Sequence, residues 1–163
     1  MSYQHLGDAQ LTYMAEMAPV VEPHTVPGQL LGNGTGTIEG PHLRGTLRWS
    51  FFEEDCAWDP GMLQQDRNES SDLGRSVCRT YPRGVIETED GGFIQFEGQG
   101  FALRRNGDPI WTVGSTVRFV TDADRYRWLN QLLSTYDGTF NERTGTATWS
   151  FHAPATPDSA RHQ

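Results

Sequence analysis

Runs of alternating apolar and polar residues, seldom longer than a dozen positions, dominate the chain. In "GTLRWSFF" (Gly45–Phe52), Leu47, Trp49 and Phe51 alternate with Thr46, Arg48 and Ser50, the period of a half-buried β-strand. A hundred residues on, "GTATWSFH" (Gly145–His152) repeats the pattern. Similar runs cover Leu11–Met17, Gln29–Gly40, Leu43–Glu53, residues 81–105, Trp111–Thr121, residues 132–140 and the stretch from Thr146. Turn chemistry separates them: Gly40–Gly45 around Pro41, Glu89–Gly92, Asn106–Pro109 and residues 141–145. "VVEPHTVPG" carries two prolines and reads as a turn or an edge strand. Short strands with frequent turns point to an all-β barrel or sandwich. One stretch, Asp122–Asn130, has helical spacing in Ala123, Tyr126 and Leu129, and Asp122 stands where a cap belongs.

The repeated phrase is a folding device on this reading. Both copies are strand, glycine-bearing turn and strand, and both aim Trp and Phe at one face. Nothing between them repeats, so the chain is not a repeat protein. Trp49 and Trp149 are therefore expected in the core.

Residues 54–76 break the pattern. They are polar, acidic and aperiodic, and longer than an ordinary connection, which fits a lid or a disordered loop. Residues 1–155 read as one barrel domain and 156–163 as a disordered tail.

Composition narrows the function. With 163 residues the chain is long enough for one real core. Its net charge is −8 and its 13 basic residues are scattered, which argues against nucleic acid and against an anionic membrane surface. No apolar run suits a membrane span and the first residues do not form a secretory signal, so a cytoplasmic location is expected. Cys56 and Cys78 are the only cysteines, and the histidines show no ligand spacing; neither a disulfide nor a metal is expected. There is no phosphate loop, dinucleotide fingerprint or nucleophile elbow, so no cofactor is expected.

Two groups of residues are chemical candidates. Arg83, Val85, Glu87 and Glu89 share one strand face, and Phe93, Gln95, Glu97 and Gln99 share another. Arg83, Glu87, Gln95 and Glu97 thus meet across the Glu89–Gly92 turn. They form either a solvated outer face of cross-strand ion pairs or a polar cluster inside a cavity, where a desolvated Glu87 or Glu97 would act as acid or base. The second group is Asp55, Trp58 and Asp59, at a strand end where barrel mouths place binding loops. Tyr126, on the short helix, is a further candidate ligand contact.

In order, "GTGTIEGPHLRG", "PRGVIETEDGGFIQFEGQG" and "VRFVTDADRYRWLN" resemble the signatures of the bacterial and fungal family called domain of unknown function 3237. The resemblance implies a closed antiparallel barrel of calycin or lipocalin-like type, with about eight strands, one short helix and a central cavity. Where that family has an Asp-Trp pair, this chain has Asp55, Trp58 and Asp59 ahead of a long acidic loop. The expected function is a cofactor-independent enzyme acting on a small hydrophobic or aromatic metabolite by proton transfer, of isomerase, cyclase or lyase type. Catalytic carboxylates would come from Glu97, Asp55, Asp59 and Glu87, and substrate contacts from Arg83, Trp58, Gln95 and Tyr126. The alternatives are a non-catalytic carrier barrel and a structural partner in an oligomer, with a homodimer left open.

Overall fold

The computed structural model describes residues 2–13, 18–21, 29–55, 75–105 and 108–155. Its strands are β1 (Tyr3–Tyr13), β2 (Ala18–Val21), β3 (Gln29–Glu39), β4 (Gly45–Asp55), β5 (Arg75–Thr88), β6 (Phe93–Arg105), β7 (Ile110–Val120), β8 (Leu133–Asn141) and β9 (Thr146–Pro154). Each of β3 to β8 pairs antiparallel with the next in sequence. β1 pairs with both β9 and β3 and closes an eight-stranded antiparallel barrel. β2 adds to β3 outside the closure, and its Pro19 fits an edge strand.

Besides the loop read over 54–76, whose ends belong to β4 and β5 and whose residues 56–74 lie outside the described part, two predicted boundaries differ. The first strand begins at Tyr3, well before Leu11. Leu6, Ala9 and Leu11 face the core, but a bulge between His5 and Gly7 breaks the alternation. The second difference is the helix, a 3-10 turn over Asp124–Gln131 rather than an α-helix capped by Asp122. No side chain caps it; Asn130 reaches back and bonds both the N–H and the C=O of Thr121, at 2.9 and 2.8 Å. That clamp fixes a segment too short for α-helical propagation.

The repeated phrase acquires a structural cause. Trp49 lies opposite Gly34 across the β3–β4 hairpin, and Trp149 lies opposite Gly138 across β8–β9. A Cβ at Gly34 would stand 2.9 Å from the Trp49 ring. The indole therefore covers its glycine, and no other residue fits there. Phe96 over Gly84 repeats the device on β5–β6. β1 joins the two hairpins: Leu11 pairs with Gly36 and with Ala147. Trp49 and Trp149 then meet edge to face, ring centres 5.0 Å apart. Both are buried, as the sequence implies.

The barrel has two ends. The helix end carries the turns after β3 and β5 and the 3-10 helix; the loop end carries the connections after β1, β4, β6 and β8. Leu6, Ile38, Leu43, Ile86, Ile94, Phe119 and Leu129 are fully buried and plug the helix end. Burying one such side chain contributes about 1.5–3 kcal/mol. At this end Thr88, Asp90 and Tyr126 lock the β5–β6 turn. The Asp90 carboxylate accepts the Thr88 hydroxyl at 2.6 Å, the Tyr126 hydroxyl at 3.1 Å and the Arg125 guanidinium at 3.2 Å.

Candidate functional site inside the barrel

Strand alternation decides which residues reach the interior. On β5 the inward positions are Cys78, Thr80, Gly84, Ile86 and Thr88; on β6 they are Ile94, Phe96, Gly100 and Ala102. Arg83, Glu87, Gln95 and Glu97 consequently point outward. The register does bring them together, with Arg83 opposite Glu97 and Val85 opposite Gln95. What forms is the solvated arrangement, not a cavity cluster. Arg48 pairs loosely with Glu87 at 3.8 Å and Arg118 with Glu97 at 3.9 Å. The Glu87 and Glu97 side chains are 50% and 64% exposed and meet solvent rather than a cavity. Arg48, Arg83, Gln95, Glu97 and Arg118, with Ser50, Val85 and Val120, line a hollow of about 520 Å³ on the outer wall of β4 to β7, and Glu87 lies outside that lining.

The other candidates fall elsewhere. Tyr126 is buried at the helix end, where its hydroxyl is held by Asp90. Burial, and then Asp90, raise its pKa, while the Thr88 hydroxyl is the main influence holding that of Asp90 below the usual carboxylate value. This is a turn lock and not a ligand contact. Asp55 ends β4 at the loop end, opposite Cys78, with its side chain outside the described part. Trp58 and Asp59 lie outside the described residues, as does Cys56.

The interior of the loop half has a different character. Tyr136 stacks on Trp149 at 4.5 Å and 17°. Trp49 and Tyr13 meet edge to face at 4.5 Å, and Tyr13 packs on Phe140 at 4.1 Å. The Trp149 Nε1–H belongs to this ring cluster, and the Thr80 hydroxyl is buried on β5. Both atoms are buried, and neither finds a hydrogen-bond partner among the described residues. An unmet buried polar group costs about 1–3 kcal/mol, so each such group calls for a partner.

A polar cluster borders this half. Glu142 accepts Arg104 Nη1 at 2.6 Å and the Trp111 indole N–H at 3.1 Å, and the guanidinium lies 4.4 Å above the Trp111 ring. Arg104, Trp111 and Glu142 escaped the sequence reading because Glu142 looks like an ordinary turn residue. Thr80 escaped it too. Its only sequence signal is an inward phase shared with Gly84 and Ile86. Among the described residues no three His, Cys, Asp or Glu side chains gather as metal ligands, and no helix is long and apolar enough to cross a membrane.

No known protein family matches the chain, and no curated protein matches it. Solved structures do. A protein of unknown function from Clostridium acetobutylicum superposes with a TM-score of 0.71 at 13% identity, over 95% of this chain and all of that one. A beta-barrel like protein from Acinetobacter baumannii gives 0.70 at 15% identity, over 93% and 94% of the two chains. An enzyme from Penicillium herquei gives 0.59 at 20% identity, over 92% and 93%. At such identities the likeness establishes the barrel fold and nothing finer.

Proposed function

We propose that this barrel binds a small hydrophobic or aromatic molecule in the loop half of its interior. The observation that carries this is the pair of buried polar atoms Trp149 Nε1 and Thr80 Oγ1, neither with a partner among the described residues, in a barrel whose interior also holds the stacked rings of Tyr136 and Trp149. Sites for small molecules combine such a lining with a few placed polar groups. Aromatic faces supply stacking area, the indole N–H donates to a ligand oxygen, and the threonine hydroxyl donates or accepts.

The test is a titration with 2-naphthol, followed by tryptophan fluorescence, of the parent protein and of Trp149→Phe and Thr80→Val. Each substitution keeps shape and removes one polar group. Each should weaken binding about two- to tenfold, the worth of a single hydrogen bond. Unchanged binding in both variants would overturn the reading.

A second reading, an enzyme acting on such a molecule by proton transfer, is favoured by the Penicillium herquei enzyme that shares the fold. With Glu87 and Glu97 outside the wall, the acid or base would come from Asp55 or Asp59. Deuterium uptake from D2O into a bound ketone's α-carbon, lost in Asp55→Asn and Asp59→Asn, would support it; no uptake would leave a binding protein.

A further inference from the structure

We infer that the outer wall formed by β5 to β8 is an interface between two copies of this chain. The occupant is a second copy, and the argument rests on the outward residues alone, independent of the interior site.

The wall is unusually apolar for a surface. Phe93 is 54% exposed, Phe101 53% and Leu133 64%, with Leu103 and Val120 also exposed. Phe101 and Leu103 lie toward the loop end; Phe93, Val120 and Leu133 lie toward the helix end. Exposed apolar groups assembled on one wall mark an interaction surface rather than chance. Between the two apolar ends the charges alternate from strand to strand: Arg83 on β5, Glu97 on β6, Arg118 on β7, in one register row.

Charge selects the partner. The chain as a whole carries −8, so two copies repel across most of their surface. Lining the hollow, Arg48, Arg83 and Arg118 stand against Glu97, and Glu87 stands beside it against Arg48. An alternating row is complementary to itself: a twofold relation lets Glu97 face the partner's Arg118, and Arg118 the partner's Glu97. In the free chain this pair stands 3.9 Å apart with both groups about two-thirds exposed, so both remain available to a partner.

Shape agrees. Phe101 lies across from Gly114, and a Cβ placed at Gly114 would meet nothing within 4 Å. The face therefore has a projecting ring beside an empty position, as well as the hollow of about 520 Å³. Knobs and holes on one face are what an isologous contact requires. Four strands at about 4.8 Å, over about 35 Å of β6, span roughly 650 Å². A standard interface buries about 800 Å² on each side, so two such faces approach the area of a stable dimer.

The experiment is sedimentation velocity on the full chain over a concentration series, with circular dichroism and Tm confirming that each variant folds. The parent protein should dimerise. E97R and R118E should each weaken the dimer about thirtyfold, as loss of a central contact does, and the double swap E97R/R118E should restore it. F101S, which removes an exposed ring, should weaken it independently. A monomeric parent protein, a dimer indifferent to both E97R and F101S, or a double swap no better than the single reversals would each overturn the inference.

Discussion

Tyr126 donates its hydroxyl to Asp90 at 3.1 Å and so ties the 3-10 helix to the β5–β6 turn, 36 residues away in sequence. The bond has a sign in both directions of pH. The folded pKa of Asp90 is lowered, so its contribution is complete above the ordinary carboxylate value of about 4 and is lost as pH falls through the folded value. The folded pKa of Tyr126 is raised, so its contribution is complete below about 10 and is lost as pH rises through the folded value. Thermal melts across pH should show a flatter acid limb for Asp90→Asn and a flatter alkaline limb for Tyr126→Phe. Limbs unchanged from the parent would show that the lock contributes no stability.

Trp49 and Trp149 are buried, each opposite a glycine on the preceding strand. Truncating either to alanine should cost about 3–5 kcal/mol in denaturant unfolding. Their edge-to-face contact at 5.0 Å should appear as about 0.5–1.5 kcal/mol of coupling in a double-mutant cycle. Strict additivity would mean that the rings do not support one another.

Gly84 tests the same device from the other side. Its added Cβ would clash with the Arg48 carbonyl and stand 2.7 Å from the Phe96 ring. Gly84→Ala should destabilise by about 1–3 kcal/mol through overpacking. A neutral substitution would show that the aromatic-over-glycine pairing is not needed.

The legible part of this fold was the part where hydrophobicity and burial coincide. On β7, Trp111, Val113, Val117 and Phe119 alternate with polar or small residues, and they do face the core. β6 blurs the relation. Its outward set includes Phe93, Phe101 and Leu103, while its inward set mixes Ile94, Phe96 and Ala102 with Gly98 and Gly100. Period-two grouping correctly placed Arg83, Glu87, Gln95 and Glu97 on one face, and the alternating Ile86, Ile94 and Phe96 take the core side near the β5–β6 turn. Thr80 carries only the inward phase it shares with Gly84 and Ile86, and Glu142 carries no pattern; only the closed barrel brings Glu142 to Arg104 and Trp111.

Glu87→Gln and Glu97→Gln follow from that placement. Both groups are half exposed or more and loosely paired, so each change should alter stability by no more than about 0.5 kcal/mol and leave 2-naphthol binding in the interior untouched. Loss of that binding would return these carboxylates to the site.

The interior site itself is tested most directly by the indole resonances. The chain has five tryptophans, each giving one Nε1–H signal in a ¹H–¹⁵N correlation spectrum, assignable by single Trp→Phe changes. Trp149 Nε1–H is buried and without a partner among the described residues, whereas Trp111 Nε1–H is held by Glu142. On titration with 2-naphthol the Trp149 signal should shift downfield and saturate, with Trp111 moving little. A Trp149 signal that stays in place at ligand saturation would contradict binding inside the loop half of the barrel.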